Sequence, residues 1–303
     1  MSRKIKRVLI SGVSGYIGGH LLTFLQGKGY QVSGLSRTGG FFLWDPERGW
    51  IDPEALDGID AVIHLAGENI ASGRWTTARK KRILESRVMG TKCLVDALSG
   101  LPNPPSVFLS ASGTNFYQEG IEVDERGPLG QGFLGEVCQK WEVEAMRAAD
   151  FGIRSACLRT GVVLSPDAGA LKKLLPMHRA GLGAIMGSGC QGFPWIGLHD
   201  LLRVYEFCLL NESISGPVNA VHPDLVNQAH FSHTLSKLLS RKSLLRLPGW
   251  VIGLLFGQMG HEALLADLRI RPNVLLRENF AFRERTLEEC LTSLLSAKKA
   301  FHL

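Results

Sequence analysis

Apolar and polar positions in this chain follow two periods in turn, a short β-branched run and then a helical spacing, and this order predicts an α/β fold. Val8, Leu9 and Ile10 read as a buried strand that breaks at Ser11-Gly12, and Ile17, Leu21, Leu22 and Leu25 then recur at helical spacing. A second strand is expected over 31–36, a short one over 42–44, and a helix start at Asp52-Pro53. Residues 61–66 read as a buried strand ended by Gly67, and 76–98 as a long amphipathic helix with Ile83, Leu94, Val95 and Leu98 on its buried side. The next strand is expected over 107–110, with a hydroxyl-rich loop after it, and the segment "GEVCQKWE" (135–142) on the helix that follows. Residues 156–167 read as a sixth strand and its turn, 199–210 as a helix, and 216–221 as a returning strand. Beyond Asn227 come an amphipathic helix and the apolar segment "LLRLPGWVIGLLFG". Strands alternating with helices predict a doubly wound parallel sheet over 1–165, closed by the returning strand. Residues 166–215 and 222–303 are expected to form a smaller α/β region.

The break after the first strand carries the first chemical signal. Gly12, Gly15 and Gly18 stand between a strand and a helix, in the order that dinucleotide binding of the Rossmann type requires. One glycine makes the tight turn, a second lets backbone approach a pyrophosphate, and a third lets helix and strand pack closely. The N–H groups at the helix start, at Tyr16 and Ile17, then face the phosphates. Glycine turns also occur without a ligand; the second strand arriving at 31–36 supplies the βαβ context that favours one. At the end of that second strand an acid would bind the adenosine ribose hydroxyls and select NAD. Ser36 and Arg37 offer instead a hydroxyl and a guanidinium suited to a 2′-phosphate, so NADP(H) is expected over NAD.

Composition narrows the remaining classes. With 303 residues, 45% of them hydrophobic and 20% charged, the chain can bury a substantial core. A net charge of +6 raises the question of nucleic acid. The basic clusters, at 3–7, 79–82 and Lys172-Lys173, are short and lack interleaved aromatics, which fits solvated helix faces and an anionic cofactor better. The basic start precedes an apolar run too short for a signal peptide, and the later apolar stretch at 250–256 is too short to cross a bilayer, so a cytoplasmic protein without a membrane partner is expected. The 6 cysteines include no CxxC pair, and no metal is expected.

With Ser11 in front, "SGVSGYIG" resembles the [ST]GxxGxxG fingerprint of extended short-chain dehydrogenases/reductases, a superfamily that includes nucleotide-sugar epimerases and dehydratases. "HLAGENI" (64–70), "SGRWT" (72–76) and "ESRVMGT" (85–91) resemble its atypical epimerase-family branch, which carries a C-terminal domain of unknown function. The resemblance implies that Leu65, Ala66, Gly67 and Glu68 lie against the cofactor's phosphates and ribose, that Arg87 and Ser110 join the cofactor site, and that Arg159, Thr160 and Gly161 approach the nicotinamide. It implies that Ser112 hydrogen-bonds the reacting oxygen, although hydroxyls at strand ends also cap turns. A working member places YxxxK on the next helix, where the lysine holds the nicotinamide ribose and the tyrosine passes a proton. Here "GEVCQKWE" puts Glu136 in the tyrosine's place and Lys140 in the lysine's. Tyr117 or Glu136 could supply the proton instead; each could equally be a packed aromatic and a solvated helix residue. Residues 182–200 are similar to the branch's GSGxQxxxWIHIxD stretch, with Gly197 in place of histidine and Gln191 and Trp195 as pocket candidates, a tryptophan being as readily core. The resemblance places the substrate side in the C-terminal part. The expected function is NADP(H)-dependent oxidoreduction or nucleotide-sugar epimerisation of a small polar substrate, by a chain that could form a homodimer. The alternative is an NADP(H)-binding sensor or scaffold that has lost its chemistry.

Overall fold

The computed structural model describes residues 5–241 and 245–300. β1 (Arg7–Ser11) leads through the glycine turn into α1 (Tyr16–Gly27), and β2 (Gln31–Ser36), β3 (Phe42–Asp45) and β4 (Trp50–Ile51) follow. Next come β5 (Ala61–His64), α2 (Thr77–Ser99), β6 (Val107–Gly113), β7 (Glu122–Val123), α3 (Phe133–Met146) and β8 (Arg154–Thr160). The chain then leaves the sheet through β9 (Val162–Leu164), α4 (Gly169–Arg179), β10 (Ala184–Met186) and β11 (Trp195–Gly197), and returns through α5 (Leu198–Leu210) to β12 (Gly216–Ala220). The remainder holds α6 (Gln228–Leu238), β13 (Leu245–Leu247), α7 (Gly249–Phe256), β14 (Arg269–Ile270), α8 (Asn273–Arg277) and α9 (Leu287–Ala300). Among the described residues no helix is long and apolar enough to cross a membrane.

Eight strands form the main sheet in the order β12-β8-β6-β5-β1-β2-β3-β4. All pairings are parallel except the edge pair of β3 with β4. Both faces of the sheet are covered, and successive side chains alternate between two cores. Val8, Ile10, Ile63, Leu109 and Leu158 join Leu21 and Leu25 of α1 and Leu201 and Tyr205 of α5. Leu9, Val62, Phe108 and Cys157 join Leu94 and Leu98 of α2 and Ala145 of α3 on the other face. The C-terminal part has its own core, built on Leu164, Leu175, Trp195, Phe231, Leu235 and Leu291.

Several boundaries differ from the sequence expectation. β5 ends at His64 rather than at 66, because Ala66 has already turned against Gly12. β6 runs on to Gly113, since β8 pairs with it residue by residue as far as Gly113 opposite Thr160, so Ser112 lies in a strand and not in a loop. The stretch 156–167 splits at Gly161: β8 stays in the main sheet, while β9 pairs with β11 outside it. Asp52 caps a single 3₁₀ turn, accepting the Glu54 N–H, and starts no longer helix.

Strand order reverses at β1, whose neighbours are β2 on one side and β5 on the other, which is where doubly wound sheets open a crevice beyond their carboxyl ends. The glycine turn sits at that point. Gly12 has φ of +73°, and a Cβ there would lie 2.8 Å from the Ala66 nitrogen; a Cβ on Gly18 would lie 2.3 Å from the Gly12 carbonyl oxygen. Gly18→Ala is therefore expected to lower stability by about 1–3 kcal/mol or more. Gly27→Ala, at a position with nothing within 4 Å, should change it by less than about 1 kcal/mol. Urea unfolding midpoints measure both, and equal midpoints would contradict the packing account.

Candidate functional site

At the switch point the crevice is walled mainly by backbone. Gly15 ends the turn, its N–H bonded to the Gly12 carbonyl at 2.9 Å, and no side chain caps α1. The amides of the first turn of α1, beginning at Tyr16 and Ile17, thus keep the positive end of the helix open to an anion. The Tyr16 hydroxyl bonds Ser165 Oγ at 2.5 Å and ties the turn to the segment after β9. Ser11, fully buried, ties β1 to β5: its hydroxyl meets His64 Nδ1 at 2.5 Å and accepts the Ala66 N–H, while the Leu65 N–H reaches the Ser11 carbonyl at 3.1 Å. His64 is enclosed by Trp44, Phe108 and Trp141, and its Nε2 has no hydrogen-bond partner among the described residues. Burial, helped by the charge of Arg87, pushes its pKa down to about 3, so the ring is neutral.

At the end of β2 the Ser36 hydroxyl is buried and accepts the Thr38 N–H at 3.2 Å. Arg37, next to it, is exposed and makes no hydrogen bond or ion pair among the described residues, so its guanidinium is available beside the strand end. Beyond β5, Gly67 lies directly under Arg87: a Cβ on Gly67 would stand 3.0 Å from the Arg87 Cζ. Arg87 Nη1 donates to the carbonyls of Glu68 and Ile83, both at 3.0 Å. The Glu68 carboxylate faces Arg79 at 3.4 Å. Ser110 is fully buried and its hydroxyl bonds the Ala111 carbonyl.

Ser112, Tyr117 and Arg159 are brought together, but in a closed network. Arg159 grips the Glu142 carboxylate in a two-pronged pair, Nε to Oε1 at 2.8 Å and Nη2 to Oε2 at 2.7 Å, with both side chains almost wholly buried. Its Nη1 reaches the Tyr117 hydroxyl at 2.7 Å, and its guanidinium lies 3.4 Å from the Phe116 ring centre. The Ser112 hydroxyl donates to Glu142 Oε1 at 2.6 Å, and the Tyr117 hydroxyl donates to Asn219 Oδ1 at 2.7 Å. Burial raises the Tyr117 pKa to about 12 against the pull of Arg159. Burial alone would lower the Arg159 pKa, but the bonds and charge of Glu142 carry it above its ordinary value. Thr160 and Gly161 are also occupied by structure: the Thr160 hydroxyl bonds the Leu158 carbonyl, and Gly161 packs so closely that a Cβ would lie 2.6 Å from the Pro194 oxygen.

Glu136 and Lys140 stand elsewhere. They bond each other at 2.6 Å, 50% and 51% exposed, on the outer face of α3. Leu134, Val137, Cys138, Trp141 and Ala145 are the apolar face of this helix. The inward face carries Leu134 with Cys138 and Val137 with Trp141 at i and i+4, so the residues expected at the tyrosine and lysine places, Glu136 and Lys140, lie outside it. Helical spacing of those apolar residues was the signal for it. The buried Glu142, one turn beyond Cys138, lies on the same face and was missed. Glu262 was missed too: Gly132 has no side chain with which to cap α3, and the Glu262 carboxylate, from the C-terminal part, accepts the N–H groups of Phe133 at 3.1 Å and Leu134 at 2.8 Å. No local pattern marks a cap supplied from so far along the chain. Of the pocket candidates, Trp195 is core, stacked on His222 and bonded to the Asp224 carbonyl, while the buried Gln191 amide braces the Met186 carbonyl.

A cavity of about 780 Å³ lies at the amino ends of β1, β2, β6 and β8, lined by Lys6, Tyr30, Ser106 and Arg154, at the opposite end of the strands from the glycine turn. One of about 290 Å³ lies beside Cys190, Phe193, His222 and Arg269 in the C-terminal part. Among the described residues no three His, Cys, Asp or Glu side chains are grouped so as to hold a metal ion.

Two measurements probe these buried groups. Arg159→Leu strands the Glu142 carboxylate and is expected to lower stability by about 3–5 kcal/mol, whereas the Arg159→Leu/Glu142→Leu pair should recover much of that loss. Additive losses in the double variant would contradict the coupling. Because folded His64 resists protonation down to about 3 while the unfolded ring takes a proton below its ordinary 6.5, its contribution is complete above pH 6.5 and is lost as pH falls through that window. Replacing it by asparagine (His64→Asn) should flatten the acid side of the stability curve by up to about 1.4 kcal/mol per pH unit. Parallel curves for the two proteins would rule this out.

The chain matches the model of the NAD dependent epimerase/dehydratase family over residues 8–220 and that of a domain of unknown function, DUF1731, over 247–294. It is 36% identical to the epimerase family protein Mb2239 of Mycobacterium bovis over 290 residues, covering 94% of this chain and 96% of that protein. It is 33% identical to the epimerase family protein SDR39U1 of Homo sapiens over 283 residues, covering 91% and 95%. A crystal structure of that human protein with NADPH superimposes with a TM-score of 0.87 at 31% identity, covering 96% of this chain and 99% of the other. The UDP-glucose 4-epimerase of Thermotoga maritima, at 16% identity and a TM-score of 0.75 over 98% of this chain and all of its own (100%), shares the fold. With a family model spanning the whole main sheet and relatives aligned almost end to end, this chain belongs to the NAD dependent epimerase/dehydratase family, in the branch that carries a C-terminal DUF1731 domain.

Proposed function

We propose that this chain binds NADP(H) at the glycine turn and uses it in oxidoreduction or epimerisation of a small polar substrate. The observation that carries the reading is the bare backbone at the switch point: Gly12 and Gly18 leave no room for side chains, and no side chain caps α1. Ser11, Gly12, Gly15, Tyr16, Ile17 and Gly18 would hold the pyrophosphate, and Ser36 with the exposed Arg37 would receive the 2′-phosphate. Ala66 and Gly67 would line the far wall. The human relative crystallised with NADPH supports the same cofactor here. A bound nicotinamide would supply reversible hydride transfer.

The proton is the harder part of this chemistry. Leu134, inward-facing on α3, carries no proton, the Ser112 hydroxyl is committed to Glu142, and the Tyr117 hydroxyl is buried between Arg159 and Asn219. That arrangement supports the second reading, a cofactor-binding sensor or scaffold that keeps the dinucleotide site without the proton relay. Conversion of a panel of small carbonyl and sugar-nucleotide substrates in the presence of NADP(H), read both as NADPH oxidation and as formation of the product epimer, separates the two: either signal favours the enzyme, while tight NADPH binding with neither favours the sensor.

The cofactor choice has its own test. Arg37→Asp removes the guanidinium and adds a ribose-binding acid, so NADPH affinity should fall about 10–100-fold while NADH affinity holds or rises. Titrations followed by nicotinamide fluorescence measure this, and an unchanged NADPH-to-NADH ratio would show Arg37 to be bystander surface.

A further inference from the structure

The sequence of α7, GWVIGLLF over 249–256, has no polar side chain but an indole N–H, and a helix apolar all round is normally enclosed. Here only Ile252 is buried, packed against Gly260. Trp250 is 73% exposed and Leu254 68%, more than any other large apolar side chain among the described residues. Leu255 and Phe256 are exposed as well, and so is Leu245 on β13, the strand that leads into the helix. Apolar side chains gathered in the open in this way mark a surface that something else covers. The helix is held in position while it presents them: Arg74 Nη2 donates to the Leu254 carbonyl at 2.9 Å, and just beyond the helix Lys80 Nζ donates to Gln258 Oε1 at 3.2 Å.

Charge narrows what the cover can be. Between Asp224 and Glu262 the chain has no acidic residue, while it has Lys237, Arg241, Lys242 and Arg246. Arg241 and Arg246 are exposed, and so is Arg74 beside Leu254. A second copy docked about a two-fold axis on α7 would bring two such basic, acid-free segments together, with like charge facing like. A surface of anionic lipid suits both halves of the pattern, since tryptophan and leucine settle at the boundary between headgroups and acyl chains and arginines meet the headgroup charge. The segment 245–256 is too short to span a bilayer, but lying in its interface needs no such length.

We propose that β13 and α7 dock this protein on an anionic lipid surface, with Trp250, Leu254, Leu255 and Phe256 entering the headgroup boundary and Arg74, Arg241 and Arg246 meeting the anionic headgroups. The attachment is peripheral and reversible. Its apolar part is set by the side chains of one short helix, and its electrostatic part weakens as salt screens the arginines.

Co-sedimentation of the full chain with vesicles tests the proposal. Wild type is expected to bind vesicles of phosphatidylcholine with about one-third phosphatidylglycerol at least about 10-fold more tightly than vesicles of phosphatidylcholine alone. Trp250→Ser/Leu254→Ser should weaken binding to the anionic vesicles about 10–100-fold, and because both side chains stand in the open its circular dichroism melt should match that of wild type. Arg246→Glu should weaken binding about 5–30-fold at low salt, with the difference shrinking as salt is added. Absence of wild-type binding to the anionic vesicles, equal binding to neutral and anionic vesicles, or a serine variant that binds as wild type does would each overturn the proposal. So would a wild-type dimer in light scattering that the serine variant dissociates, since a second copy would then be what covers α7.

Discussion

The close approach of α1 to the turn in front of it governs the geometry of this protein. With only 2.3 Å between a Gly18 Cβ and the Gly12 carbonyl oxygen, helix and strand can meet here only through glycine. The contact brings the open end of α1 to the place where the strand order reverses, and it lets Ala66 pass against Gly12 at the end of β5. A backbone-walled crevice with a helix dipole aimed into it is the result. The buried bond between Ser11 and His64 holds the two strand ends at that spacing, and it works because His64 stays neutral in its aromatic enclosure.

A second constraint lies deeper, on the other side of β5. Arg159 and Glu142 face each other inside the protein, and neither could be there without the other. Their pair collects Ser112 from β6, Tyr117 from the segment after it and, through Tyr117, Asn219 from β12. These polar groups are turned towards one another. A network so fully bonded is rigid. It reaches the C-terminal part through Asn219, whose amide donates to the Arg271 carbonyl, and that part in turn caps α3 through Glu262.

Open backbone and the exposed Arg37 therefore lie on the β1 side of the crevice, and the closed hydrogen-bond network lies on the α3 side. Leu134 and Cys138 belong to the apolar packing of α3. Holding a dinucleotide and turning it over are separable tasks in such an architecture, since the first needs phosphate-facing amides and the second needs a proton in reach.

The order of elements, the parallel sheet and the glycine turn were legible in the chain because each depends on neighbours within a few residues: β-branched runs, helical spacing and three glycines at fixed offsets. Ser36 and Arg37 were legible for the same reason, as residues at a strand end. The face of α3 was legible too, in the spacing of Leu134, Val137, Cys138, Trp141 and Ala145, although motif matching pointed to Glu136 and Lys140. What only the tertiary structure decided was which polar groups remain available. Whether Ser112 faces a crevice or a carboxylate depends on Glu142, 30 positions away, and whether α3 has a cap depends on Glu262, 129 positions from Phe133. Hydrogen bonds between such distant positions follow from how layers pack, and no local period records them.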